Sequence, residues 1–254
     1  MNAFWALTKN SCPSESSSLY QVVRSKGDEK RQLFKKILRD YARGWSPVPD
    51  WYKKRFSDYY SALPEGHHEQ FTVESISPFV IGMGQSSIWE THLTLHKIYG
   101  VPYIPGSALK GASAHYCHRY LGNEEVEFRE GGAYYNVLFG SKERAGCIRF
   151  HDALPTPDTV GTALCLDVMT PHHPNYNQLP TGQTVQAPRD DDSPDIIHFL
   201  AAKGNYRVAL TCDAGQEEAL EWLAIAKEIV VQTLQQESIG GKTNAGYGTF
   251  RLAK

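Results

Sequence analysis

Gly240-Gly241-Lys242-Thr243-Asn244-Ala245-Gly246-Tyr247-Gly248 joins a stretch of helical periodicity to a short closing run, Thr249-Phe250-Arg251-Leu252. On its N-terminal side, Leu220, Leu223, Ala224, Lys227, Val230, Val231 and Leu234 mark a long amphipathic helix. Helix, glycine loop, strand is therefore the order that closes the fold. Glycine tolerates positive φ and lets a ligand approach bare backbone. Successive amides in such a turn can form an anion-holding concavity, and Lys242 adds a point charge. The composition suits phosphate. Gly241-Lys242-Thr243 also looks like the end of a Walker A motif, but that motif needs a glycine five residues before the Gly-Lys pair and a strand before the loop. Gln236 stands at that position, and the segment before the loop reads as helix. A turn without a ligand remains open; contact with a nucleic-acid backbone fits the composition better than a mononucleotide does.

The rest of the chain reads outward from this end. Asn205 to Cys212, Thr162 to Met169 and Gly146 to Asp152 are strand-like, and a further strand runs from Gln70 to Ile81. Pro105-Gly106 makes a turn, Ser107 stands as N-cap, and Leu109, Ala112, Tyr116, Tyr120 and Leu121 give a helical stripe stopped by Gly122. The first turn of that helix, with Ser107 and Lys110, is a second possible anion site. Pro171 to Asp195 is rich in Pro, Asn, Gln, His and Asp, and reads as an excursion, drawn to residue 200. Leu33, Phe34, Ile37, Leu38 and Tyr41 recur at helical spacing from Glu29 to Arg43, with Gly44 as its stop. Trp45, Trp51, Tyr52, Phe56, Tyr59 and Tyr60 then read as an aromatic-rich connector packing in the core. The predicted architecture is α+β: a ferredoxin-like (RRM-like) βαββαβ domain over residues 70–254 with an inserted arm, preceded by a polar arm and N-terminal helical extension over 1–69.

Bulk properties bound the function. The 254 residues include 41% hydrophobic and 21% charged side chains, ordinary for a globular domain. No apolar run reaches bilayer-spanning length, and the first residues lack a basic-then-apolar leader, so no membrane partner and a cytoplasmic site are expected. Five scattered cysteines without a C-x-x-C pair imply neither a zinc site nor a disulfide framework. Net charge is −2, yet residues 1–60 carry 12 Lys/Arg against 6 Asp/Glu while the remainder is acidic. Free nucleic-acid binders are usually basic throughout. This polarity suits a subunit that touches nucleic acid on one side and proteins on others.

Several motifs together are similar to one family. Gly100-Val101-Pro102-Tyr103-Ile104-Pro105-Gly106-Ser107-Ala108-Leu109-Lys110-Gly111 resembles the Pro-Gly-Ser-x-Leu-Lys-Gly segment of the RAMP superfamily, RNA-binding proteins of CRISPR systems. Phe139-Gly140-Ser141, the strand from Gly146 to Asp152 and the loop from Gly241 to Gly248 follow in that family's order. Leu166-Asp167-Val168-Met169-Thr170-Pro171-His172 resembles more narrowly the family of sixth subunits of Cmr-type, or type III-B, effector complexes. The resemblance covers roughly residues 70–254. It implies an RNA-binding structural subunit that holds the distal guide RNA (crRNA) and its paired target RNA. Its neighbours would be sister RAMP subunits and the small helical subunit. Gly241, Lys242, Thr243 and Asn244 would contact the sugar-phosphate backbone, Ser107 and Lys110 a neighbouring phosphate, Tyr247 a base, and His172 and His173 the passing strand.

The same resemblance bears on chemistry. The family's target-cleaving subunit uses an aspartate between its first strand and first helix, whereas Gly82 to Pro105 holds only Glu90. No catalytic residue, metal ligand or cofactor is expected. The alternative is a RAMP-family endoribonuclease that processes CRISPR RNA by histidine general acid-base chemistry, for which His92/His96, His115/His118 and His172/His173 are the pairs to weigh.

Overall fold

The computed structural model describes residues 2–8, 28–87, 89, 91–170 and 196–253. A short helix, α1 (Ala3–Thr8), precedes α2 (Asp28–Gly44), whose Phe34, Ile37 and Tyr41 turn inward at helical spacing. The aromatic connector is itself a helix, α3 (Asp50–Ser61). Pro47 and Pro49 end α2 without preventing a new start, because proline's missing amide costs nothing ahead of a first turn. Its Tyr52 and Tyr60 are buried, while Trp51 and Tyr59 stay outside.

β1 (His68–Ser75) leads through an irregular stretch to α4 (Gly106–Tyr116), which continues as a π-turn over Cys117–Leu121 and a last turn over Gly122–Glu124. Gly122 thus does not stop the helix. Then follow α5 (Ala133–Phe139), β2 (Ile148–Phe150), the two-residue β3 (Leu154–Pro155), β4 (Leu164–Met169), β5 (Ile197–Ala202), β6 (Asn205–Cys212), α6 (Gln216–Gln236) and β7 (Phe250–Leu252). β5 occupies residues drawn as excursion, and its reason is pairing: Leu164 to Met169 lie opposite Ala202 to Ile197 in an antiparallel ladder.

The result is a mixed α/β fold with antiparallel sheets. The main sheet runs in the order β2-β6-β1-β7, with β3 also on β6, and every pairing in it is antiparallel. β6 is buried at Tyr206 and from Val208 through Cys212, so both its faces are covered. α6 packs across β1, β2, β6 and β7. Phe79, Tyr206 and Phe250 meet in the core beside the sheet, with ring centroids 5.2 Å apart for Phe79–Tyr206 and Phe79–Phe250. Each such fully buried ring contributes about 1.5–3 kcal/mol. Phe79 and Ala202 exchange two backbone hydrogen bonds at 2.8 Å, tying the β4–β5 hairpin to the main sheet.

The N-terminal helices are clamped by tyrosine hydroxyls. Tyr41 donates to the Val160 carbonyl and Tyr52 to the Pro155 carbonyl, each at 2.7 Å. The Tyr60 hydroxyl donates to the Arg207 carbonyl at 2.7 Å and accepts from the Leu154 amide at 3.1 Å. Burial holds all three phenols well above the usual tyrosine range, so they remain neutral donors.

Candidate nucleic-acid interface

The glycine loop is pinned to the backbone after β1. The Gly241 amide donates to the Val80 carbonyl at 2.7 Å, Gly248 to Pro78 at 2.9 Å, and Ile239 to Gly248 at 2.9 Å. Gly248 has φ +80, and a Cβ there would lie 2.1 Å from the Ile239 carbonyl oxygen, so only glycine closes the loop. Lys242 adopts the left-handed conformation (φ 63°, ψ 29°) at the head of a 3-10 turn over Thr243–Ala245. Its carbonyl accepts from the Ala245 amide at 2.9 Å and the Tyr247 amide at 3.3 Å, which offsets the cost of that conformation. The amides of Lys242, Thr243 and Asn244 donate to no backbone or side-chain acceptor among the described residues. Nor does the Lys242 ammonium meet a carboxylate among them. Three consecutive amides and a lysine thus converge on one bend, an arrangement that suits an anionic oxygen.

Tyr247 belongs to the same bend but faces inward. Its hydroxyl donates to Asp167 Oδ2 at 2.7 Å, its ring lies 6.1 Å from Phe199, and burial together with the Asp167 carboxylate raises its pKa. Ser107 and Lys110 form a second group, anchored elsewhere. Ser107 is not the N-cap: Pro105 holds that position, and Asp152 Oδ1 accepts from the Gly106 amide at 2.8 Å. A carboxylate from the β2–β3 corner thus replaces the local hydroxyl and complements the helix dipole. Ser107 is left exposed, with Lys110 one turn on and without an ion pair among the described residues. His172 and His173 lie outside the described residues.

The two remaining histidine pairs sit in different surroundings. His96 stacks on Tyr99 (4.3 Å, 10°) and its Nδ1 accepts from the Tyr99 amide at 3.2 Å. Burial lowers the pKa of His92 and of His96. His115 and His118 are exposed beside Arg119, Asn123 and Arg129 along an open cleft, and His118 Nδ1 accepts from the Glu130 amide at 3.0 Å. Among the described residues, no three His, Cys, Asp or Glu side chains cluster as a metal site. Asp152 and Asp167, each read from sequence as following a strand and able to cap a turn, prove to support the two groups across long sequence separations. Their partners, Gly106 and Tyr247, lie 46 and 80 residues away, and no local signal links such pairs.

A family model described as the RAMP superfamily matches residues 72–251, a span that begins within β1 and ends within β7. The chain belongs to the RAMP superfamily. Its stripe from Gly100 to Gly111 and its glycine loop both fall inside the matched span. This RAMP chain is 27% identical over 252 aligned positions to the CRISPR system Cmr subunit Cmr6 of Pyrococcus furiosus, with 78% of this chain and 72% of that one covered. It is 24% identical over 235 positions to the Cmr6 subunit of Saccharolobus solfataricus, covering 89% and 74%. In fold it is similar to a chain of the type III-B Cmr-beta complex, solved by cryo-electron microscopy bound to cognate target RNA. The TM-score is 0.59 at 19% identity, over 97% of this chain and 84% of that one. Among the described residues, no helix is long and apolar enough to cross a membrane.

Proposed function

We propose that this RAMP chain is an RNA-binding structural subunit of a type III-B CRISPR effector complex, without chemistry of its own. In this reading it acts in the cytoplasm in antiviral defence. It holds the distal part of the guide RNA and its paired target, beside sister RAMP subunits and the small helical subunit. Two relatives named Cmr6 support the assignment to that complex. The observation that carries the RNA role is the bend at Lys242, where three consecutive amides and an ammonium without a carboxylate partner among the described residues sit together on a backbone already fixed by Val80 and Pro78. Such contacts hold a sugar-phosphate strand and carry no sequence information. That suits a subunit that must accept any guide.

The sheet order β2-β6-β1-β7, with α4 following β1 and α6 following β6, supports a ferredoxin-like βαββαβ assignment. In that reading β3 and the β4–β5 hairpin are insertions, and α1 to α3 form an extension ahead of a RAMP domain over residues 70–254. The test is reconstitution of the complex with a Lys242→Ala/Lys110→Ala chain. Guide RNA should be lost in a salt wash that the wild-type complex survives, with the variant's thermal midpoint unchanged. Full retention of guide would refute the role given to these lysines.

A further inference from the structure

The exposed face of α3 has no place in the functions described so far. Trp51, Arg55 and Tyr59 stand at i, i+4 and i+8 on one side of the helix, and Trp51 is 50% and Tyr59 37% exposed. Rings of that size carry much of the energy where they meet a partner, because one side chain offers a large flat area. The inner side of the same helix, with Tyr52, Phe56 and Tyr60, already secures it to the core. The outer rings touch buried ones at their edges, Trp51 on Trp45 at 5.6 Å and Tyr59 on Tyr60 at 4.9 Å, and leave the rest of their surface open.

The aromatic surface extends beyond α3. Trp51 lies 5.8 Å from Tyr99, which stacks on His96, and His96 lies 5.9 Å from Tyr103. At the other end Tyr59 meets His151 at 6.4 Å. The charges named around these rings balance, with Arg55 and Asp152 as the two that lack an oppositely charged partner. Asp50 is paired with Lys53, and Asp58 with Lys54. Asp152 faces Tyr59, Tyr103, His96 and His151, and is hydrogen-bonded at the N-terminus of α4. Arg55, exposed between Trp51 and Tyr59, has no carboxylate partner among the described residues. Burial keeps His96 and His151 below the ordinary imidazole value, so their rings are neutral and flat near pH 7. Flat neutral rings with an interposed guanidinium match the faces and linking phosphates of unpaired nucleotides.

We propose that the Trp51–Arg55–Tyr59 face of α3, continued by Tyr99, His96 and Tyr103, is a stacking surface for the unpaired bases of single-stranded RNA. It rests on the RNA-holding reading above for its ligand class, but uses residues separate from the Lys242 bend. Stacked bases contribute through their π-faces irrespective of sequence.

The test is an anisotropy titration of the purified full-length chain against a fluorescent single-stranded oligoadenylate. Trp51→Ala should weaken binding by about five- to about a hundredfold, and Trp51→Phe should restore most of it. A duplex RNA of the same length should show no difference between Trp51→Ala and wild type. Circular dichroism on both variants checks that the exposed substitution leaves the fold intact. The Lys242→Ala/Lys110→Ala chain is titrated alongside. If it loses affinity while Trp51→Ala does not, the stacking surface is wrong and the lysine reading stands; the converse result separates them the other way. No measurable binding of the oligonucleotide by wild-type chain overturns the stacking proposal. So does a Trp51→Ala chain that binds RNA normally but fails to join its protein neighbours, which would make the face a subunit interface.

Discussion

In the readings proposed above, the glycine loop and the outer face of α3 would present groups to RNA in opposite ways. At the loop the backbone would be the functional group. Its amides are aimed by a left-handed Lys242 and by hydrogen bonds to Val80 and Pro78, and side chains matter little except for one ammonium. On α3 the backbone is spent on helical hydrogen bonding and side chains alone are displayed, at a spacing the helix dictates. A loop of the first kind should fail when its backbone is forced. A face of the second kind should tolerate any change that leaves its inner anchors alone.

The sharpest way to break the contrast is Gly248→Ala. The left-handed conformation and the overlap with the Ile239 carbonyl should together destabilise the chain by about 2–4 kcal/mol in urea unfolding. Gly246→Ala, at φ +85 but with open space around the added carbon, should cost only about 1–2 kcal/mol. Equal losses at the two sites would mean that the close approach at Gly248 is not what fixes the loop.

The inner anchors of α3 come next. Tyr60→Phe strands the Arg207 carbonyl and the Leu154 amide at once, so a loss of about 1–3 kcal/mol is expected. Tyr59→Phe on the outer face should change stability by less than about 0.5 kcal/mol.

Acid should act through buried imidazoles. Burial lowers the pKa of His92, His96, His151 and His198 below the ordinary 6.5, and His198 Nδ1 is buried without a hydrogen-bond partner. Below that value the unfolded chain takes up protons that the folded chain refuses. Stability should therefore be level above 6.5 and fall as pH drops from 6.5 toward the folded values. Urea midpoints measured at about pH 7.5 and about pH 5.5 read this directly, and His198→Leu should shrink the difference.

The smallest expected effect is a gain. Lys242→Gly should stabilise the chain by about 1 kcal/mol, by relieving the left-handed conformation. It should also flatten the salt dependence of RNA retention by roughly 0.7 in log–log slope, one phosphate contact on a single strand. A gain in stability without the change in slope would leave Lys242 strained for no RNA-related reason.

What could be read in advance divides along the same line. The loop was legible because glycine and lysine chemistry is local, and β6 and α6 were legible because alternation and helical periodicity are local too. α3 was hidden by its own composition: Pro47 and Pro49 ahead of it and a density of rings obscured a spacing that becomes obvious once Tyr52 and Tyr60 are seen to point inward. β5 was hidden because Ile197 to Ala202 is a short apolar run whose identity as a strand depends on β4 lying opposite. Ser107 looked like a cap because its residue type and position fit; the cap arrives instead from Asp152, on the far side of a fold that the sequence does not draw.

The hydrogen bond from Tyr247 to Asp167 has one more implication. It fastens the loop to β4, so that in the RNA-holding reading proposed above the bend at Lys242 is held from two directions before any polymer arrives. A rigid seat of this kind forgoes adaptability in exchange for a low entropic cost on docking. An Asp167→Asn chain, whose weaker grip on the phenol would let the tail fluctuate, should release its RNA faster while capturing it at nearly the old rate.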